Sequence, residues 1–191
     1  MNSKPLTPIK QARLNTLLDQ ATQCLVKNPG ASLGEIAESA GVGIATLHRY
    51  VESREQLMIH LGFRAIEVVA ETIQGIEFDE EEAEAYIPKL IEALIPLGDK
   101  IYFLNHDASV NSNKEIEQQD RALRQPLLHA IERLQENGHF RRDMDKNWIA
   151  EVLYSLLFLT WQQVVEGNVA RNSAAQLLVN TFYHGVRHSE A

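Results

Sequence analysis

The stretch "GVGIATLHRY", residues 41–50, sets two glycines two apart in front of a run that closes on His48, Arg49 and Tyr50. Two chemistries use such residues. A glycine cluster that opens a helix cradles a phosphate through bare backbone N–H groups. A glycine turn that launches a short helix instead carries threonine, histidine and arginine outward, where they donate to phosphate oxygens and base edges. The first chemistry needs a buried strand ahead of the glycines and a third glycine at a fixed offset. Neither is present, so the glycines make a turn. Elsewhere the letters GxSxG occur at 30–34 but with no strand ahead of them to form a nucleophile elbow, and there is no HExxH and no clustered Cys/His spacing. His106 and Asp107 are adjacent, with His129 and His139 far along the chain, but neighbours on a helix point apart and supply no ligand set. No catalytic residue, metal site or cofactor is expected, and an enzyme is not.

The elements that must position this stretch all read as helices; no convincing alternating strand can be phased. A first helix starts at Thr7-Pro8 and stops at Asn28–Gly30. Ser32 and Glu35 form a capping box for a second helix that ends at Gly41, where a left-handed backbone is required. A third covers about Ile44 to Tyr50, with Ile44 and Leu47 facing inward. Ser53 and Gln56 open a long helix that fades near Gly75. Leu33, Ile36, Ala37, Ala40, Val42, Leu47, Val51 and Leu57 supply one small core, and the whole is a helix-turn-helix. Beyond Gly75 the pattern predicts a helix from about Asp79 with Pro88 inside it and Pro96 near its end. A loop at 105–113 comes next, then a helix from Lys114 to Asn137 containing Pro126. The last two helices are Ile149–Val165 and Ala174–Val186, the final one entered through a Ser173/Gln176 capping pair.

Composition bounds the rest. The chain has 191 residues, 45% hydrophobic and 23% charged, with one cysteine, Cys24, and hence no internal disulfide. No run has the roughly 18 to 20 uninterrupted apolar residues of a membrane span, and the first residues lack a secretory pattern, so a cytoplasmic protein with no membrane partner is expected. A net charge of −8 argues against a polyanionic partner for the chain as a whole. Residues 1–64, however, carry seven Lys/Arg against five Asp/Glu, while the remainder carries a net −10. That asymmetry suits a DNA-facing end and a differently employed remainder.

A helix-turn-helix presents its second helix to the major groove, with flanking residues fixing the duplex backbone. Ala45 and the Thr46 methyl suit a thymine methyl, and Arg49 suits guanine or phosphate. His48 lies on the same free side, and Ser32 and Arg54, each at a helix start, suit phosphates. Taken singly, each residue has a plainer reading as a solvated side chain; together, in the net-positive segment, they favour DNA.

The segment "SLGEIAESAGVGIATLHRYVESREQLM", residues 32–58, resembles the DNA-binding signature of the tetracycline-repressor (TetR) family of bacterial regulators. Ile36, Ala37, Ala40, Gly41, Val42, Thr46, Leu47, Tyr50, Ser53 and Leu57 fall in register with it, over roughly the first 60 residues. His48 stands where the family usually has a phosphate-contacting tyrosine, Val51 replaces a common phenylalanine and Arg54 a common lysine. The resemblance implies DNA contacts at Ser32, Ala45, Thr46, His48, Arg49, Tyr50 and Arg54. It implies an all-α chain: a three-helix DNA-binding domain over 1–53, a connecting helix at about 54–75, and a helical ligand-binding and dimerisation domain over 76–191. It further implies a dimeric repressor released from double-stranded operator DNA by a small-molecule effector.

The helix from Ile149 to Trp161 is apolar around most of its circumference, as a helix buried on two sides is. The second side is either the chain's own core or another subunit, and the resemblance turns that choice towards a homodimer. Leu153, Leu156, Leu157, Leu177, Leu178 and Phe182 are the candidate interface. Tyr102, Phe103, His106, Phe158 and Trp161 are the candidate effector pocket, since aromatic and a few polar groups line such sites. The alternative is a helical protein–protein adaptor with a vestigial helix-turn-helix, which would not need the exposed Thr46, His48 and Arg49.

Overall fold

The computed structural model describes residues 7–80 and 82–186, with backbone alone at 102, 103, 105, 106 and 186. Among the described residues ten α-helices follow in order: α1 Pro8–Lys27, α2 Leu33–Ser39, α3 Ile44–Leu47, α4 Arg54–Ile73, α5 Ala83–Leu94, α6 Gly98–His106, α7 Ala108–Asn111, α8 Lys114–Glu136, α9 Lys146–Val165 and α10 Ala174–Val186. There is no strand among the described residues.

Two cores form, and α4 belongs to both. Leu57, Met58 and Leu61, on its first turns, close a small core with Leu14, Leu17, Leu18 and Leu25 of α1, Ile36 and Ala37 of α2, and Leu47 and Val51. Of the expected head core, Leu33, Ala40 and Val42 are only partly buried at its edge. Ala65, Ile66 and Val69, further along α4, join the larger core of α5, α8, α9 and α10. We call the first region the head and the second the body. One continuous 20-residue helix therefore spans head and body, with no loop to absorb a relative movement.

Local chemistry explains where the helices stop. Gly41 (φ +66°) takes the left-handed conformation, so that the Val42 N–H reaches the Ala37 carbonyl (2.9 Å) and the Gly41 N–H that of Glu38 (2.9 Å). Asn113 and Asp145 cap α8 and α9, each side-chain oxygen accepting from two backbone N–H groups.

The body departs from expectation in several places. Pro96 does not end a single long helix. It starts a 3-10 turn over Ile95–Leu97, after which α6 begins afresh, because a proline has no N–H for the helical ladder. Pro88, five residues into α5, is carried within the helix. The expected loop at 105–113 is largely helical: Asp107 caps α7 by accepting from Ser109 and Val110 N–H groups. The Ser173/Gln176 pair turns elsewhere, the Ser173 hydroxyl donating to the Ala170 carbonyl and the Gln176 amide to Asn180. By length and composition α9 would suffice to cross a membrane, but Ile149, Ala150, Leu153 and Leu157 seal its inner face in the body core.

Candidate nucleic-acid interface

The turn between α2 and α3 is fixed from below. Leu47 and Val51 are fully buried, and their contact with Ile36 and Ala37 sets the rotation of α3. The helical hydrogen bonds of α3 continue past its last residue, from Val51 N–H to the Leu47 carbonyl (3.1 Å), so His48 and Arg49 stay on its spiral. Ala45, His48 and Arg49 are exposed and, at i, i+3 and i+4, share one face. Thr46 and Tyr50 are half-buried at its edge, and the Arg49 guanidinium lies 3.4 Å from the Thr46 hydroxyl.

Three residues depart from the sequence reading. Ile44, expected inward, is 43% exposed. Ser32 is committed to its capping box: its N–H and hydroxyl both donate to a Glu35 carboxylate oxygen at 2.7 Å, and the Glu35 N–H returns to the hydroxyl at 3.3 Å. Those donors, the Ser32 N–H foremost, hold the Glu35 carboxyl below its usual value. Arg54 points back into the protein, its guanidinium donating to the carbonyls of Ala31 and of Pro29 (2.6 Å for the latter). It clamps the turn between α1 and α2 to the start of α4.

Head and body meet through charges as well as through α4. Arg64 of α4 donates twice to Asp19 of α1 (3.1 and 3.3 Å) and once to Glu67 (2.7 Å). Lys100 of α6 pairs with Asp99 at 2.8 Å and approaches Asp19 at 3.7 Å. A displacement of α6 therefore acts directly on the head helix α1.

Inside the body, Val69 and Ile73 of α4, Leu90 of α5, Asp120 and Arg124 of α8 and Tyr154 of α9 surround a cavity of about 20 Å³, room for about one water. Its polar corner is built: Arg124 binds Asp120 (2.7 Å) and Glu151 (2.7 Å) and lies 4.4 Å from the centroid of the Tyr154 ring. Burial pushes the Tyr154 phenol above its ordinary value, with the Arg124 charge opposing that shift.

Of the candidates whose side chains are described, Phe158 and Trp161, neither lines this cavity. The side chains of Tyr102, Phe103 and His106 lie outside the described residues. Phe158 and Trp161 stack on each other (centroids 5.8 Å apart, 28° between planes). Trp161 also lines a separate cleft of about 250 Å³ between α1 and the body, with Val26, Lys27 and Asp99. The i, i+4 pair Asp120–Arg124 stands in a polar stretch of sequence, so no local signal pointed to the inner cavity.

The interface candidates need correction too. Leu153, Leu157, Leu178 and Phe182 are buried in this chain's own core, because they lie on the faces where α9 and α10 meet the rest of the body. Leu156 is half-buried and Leu177 is 48% exposed. The outward stripe of α9 instead carries Trp148 (64% exposed), Val152, Leu156 and Leu159 (50% exposed), at i, i+4, i+8 and i+11.

Comparison with known proteins fits this architecture. The chain is 22% identical over 170 residues to the HTH-type transcriptional repressor LfrR of Mycolicibacterium smegmatis, spanning 89% of this chain and 88% of that protein. It is 26% identical over 174 residues to the HTH-type transcriptional regulator NfxB of Pseudomonas aeruginosa, spanning 88% and 91%. The crystal structure of LfrR in complex with proflavine, described as TetR-like, superposes with a TM-score of 0.73 at 21% identity over 93% of this chain and 99% of that one. That of AibR in complex with isovaleryl coenzyme A and operator DNA gives 0.67 at 15% identity, over 90% and 98%. No family model matches the chain. The chain thus has the fold of TetR-like regulators and is similar along nearly its whole length to curated HTH-type transcriptional regulators.

Proposed function

We propose that the protein is a dimeric cytoplasmic repressor that leaves its operator when a small molecule enters the body. The observation that carries this reading is the sharing of α4 between the head and body cores, which leaves no hinge loop between the part that reads DNA and the part that encloses the cavity. The exposed Ala45, His48 and Arg49, with Thr46 and Tyr50 at the edge, form the DNA face. Ser32 offers phosphate its hydroxyl only at the expense of the capping box, and Arg54 supports the face from behind.

Two copies join through the outward stripe of α9 and Leu177 of α10. This leaves each head free to read one half of a pseudo-palindromic site, with half-sites about 34–36 Å apart. The effector is an apolar molecule with one polar group, which Arg124 or Asp120 receives. Because a cavity of this size holds about one water, the effector must part α4, α8 and α9 to enter. Movement of α4 reaches the head directly, and movement of α6 reaches Asp19 through Lys100. LfrR with proflavine and AibR with isovaleryl coenzyme A and operator DNA are the relatives' instances of a ligand and a DNA partner, and they support the same pairing here.

The test is fluorescence anisotropy of the purified protein against DNA from upstream of its own gene, with a scrambled duplex as control and salt as variable. Preferential binding that weakens with salt, as phosphate contacts require, and a complex of two chains per site support the repressor. Protection of one asymmetric half-site by a single chain sinks the dimeric account.

A further inference from the structure

We propose that Ile44 reads a thymine: its side chain packs against the C5-methyl group of one T in each half-site of the duplex. This rests on the DNA-binding reading above and deepens it by naming a base and the residue that selects it. Ile44 is the first residue of α3 and stands 43% exposed, although it is a large apolar side chain. Leu47 and Val51, three and seven residues on and on the same side of the spiral, are fully buried, so the core ends short of Ile44 and leaves it uncovered at the start of α3. Its neighbours are poorer apolar readers. Ala45 offers a single methyl, and Thr46 is half-buried with its hydroxyl beside the Arg49 guanidinium.

The preceding residue supplies an independent observation. Gly43 has φ −72° and ψ 148°, a conformation open to any residue, and a Cβ built on it would meet nothing within 4 Å. Neither the backbone nor the packing of the chain calls for glycine there. The position also caps α3, where serine, threonine, aspartate or asparagine would stabilise the helix more. A bare backbone beside an exposed isoleucine leaves room for a groove edge to approach until the isoleucine touches it. On the major-groove edge the apolar feature is the thymine methyl, so an aliphatic side chain selects T over the other bases.

The experiment first selects binding sites for the wild-type protein from a pool of random duplexes. Each thymine of the selected site is then replaced by deoxyuridine, which removes only the methyl. Burial of one methyl-sized group corresponds to about fourfold in affinity, and two half-sites together to about fifteenfold. The expected result is one thymine per half-site at which the wild type shows that loss, while Ile44→Ala binds the thymine and uracil duplexes equally. A selection repeated with Ile44→Ala loses its preference for T at that position and keeps the others. Ile44→Val, one methylene shorter, retains part of the discrimination, and unchanged melting temperatures show that both variants are folded. If Ile44→Ala keeps the same uracil sensitivity, or if no thymine in the wild-type site is sensitive, the proposal is overturned while the regulator stands. If the wild type selects no sequence at all, the regulator reading falls and this one with it.

Discussion

The head closes around turns that each carry their own local signal, whereas the body is set by the faces of long helices meeting one another. In the head, the Ser32–Glu35 box, left-handed Gly41 and the Ser53 cap fix three helix ends within about twenty residues. The core they enclose is small, so each buried side chain is a large part of what holds the DNA face in shape. In the body, α8 and α9 are 23 and 20 residues long, and the buried stripe of each decides its placement. A small region with many local constraints can be broken alone; a large one with shared faces resists and transmits.

The largest expected effect uses that difference. Leu47→Ala removes a fully buried side chain from the head, at a cost of about 2–5 kcal/mol. The head then loses its fold at temperatures where the body keeps its own. DNA binding should be lost while the oligomeric state by light scattering and most of the helical circular dichroism persist. A single cooperative transition, shifted as a whole, would mean that α4 welds the two cores into one folding unit and that the contrast drawn here is wrong.

Gly98→Ala strikes the body at a close approach. A Cβ on Gly98 would overlap Cβ and Cγ of Trp161, which are anchored to the α9 backbone rather than being a free side-chain end. Overpacking of this kind costs about 1–3 kcal/mol. The melting temperature should fall by a few degrees, and the Trp161 fluorescence should change as α6 and α9 separate. Because α6 also carries Lys100, operator affinity should shift through Asp19 without any change to the DNA face. An unaltered melting temperature would show that α6 can slide without cost.

Arg54→Ala sharpens the head's side of the comparison. Loss of the donors to the Pro29 and Ala31 carbonyls should cost about 1 kcal/mol. If Arg54 held a phosphate, its removal would lower the slope of log affinity against log salt by about one. As a clamp it leaves that slope unchanged at temperatures where the head remains folded, and anisotropy across a salt series reads the difference.

What was legible in the sequence follows the same divide. The head's turns were readable because capping oxygens and a glycine act over three or four residues, and five of its expected core residues are fully or nearly fully buried: Ile36, Ala37, Leu47, Val51 and Leu57. Ile44 was misjudged because a four-residue helix is too short for the 3.6 period to assign a face. The inward contacts of Arg54 were not legible because its partners lie 23 and 25 residues back, and no local spacing predicts such contacts. In the body, periodicity found α8 and α10 within a residue or so, but not the break at Pro96 or the Asp107 cap of α7. An apolar helix such as α9 announces that it is buried on two sides without saying which leucines face the home core. The cavity was missed for a related reason: its shape depends on five helices converging, and its polar corner on a pair, Asp120 and Arg124, that reads from sequence as an ordinary surface ion pair.

The smallest expected effect probes the junction itself. His60 lies on α4 next to Leu61, the last of that helix's buried head-core residues, and five residues ahead of Ala65, the first of its buried body-core residues, and burial holds its imidazole below the ordinary value of 6.5. A histidine kept neutral in the folded chain binds fewer protons there than in the unfolded chain. Unfolding free energy therefore falls as pH drops below about 6.5, and the slope flattens once pH passes below the folded value. Glu35 acts in a different window. Its carboxyl is held below 4.5, so its contribution is complete above that value and is lost only as pH falls through the lowered one. Denaturant unfolding at pH 7.5 and pH 5.5 thus isolates the junction from the head's capping box. His60→Gln should show a smaller loss between the two pH values than the wild type, the other histidines being common to both proteins and cancelling in the difference. If the two proteins lose stability equally, the burial of His60 does not bear on its proton, and α4 crosses from head to body through a region open to water rather than a sealed one.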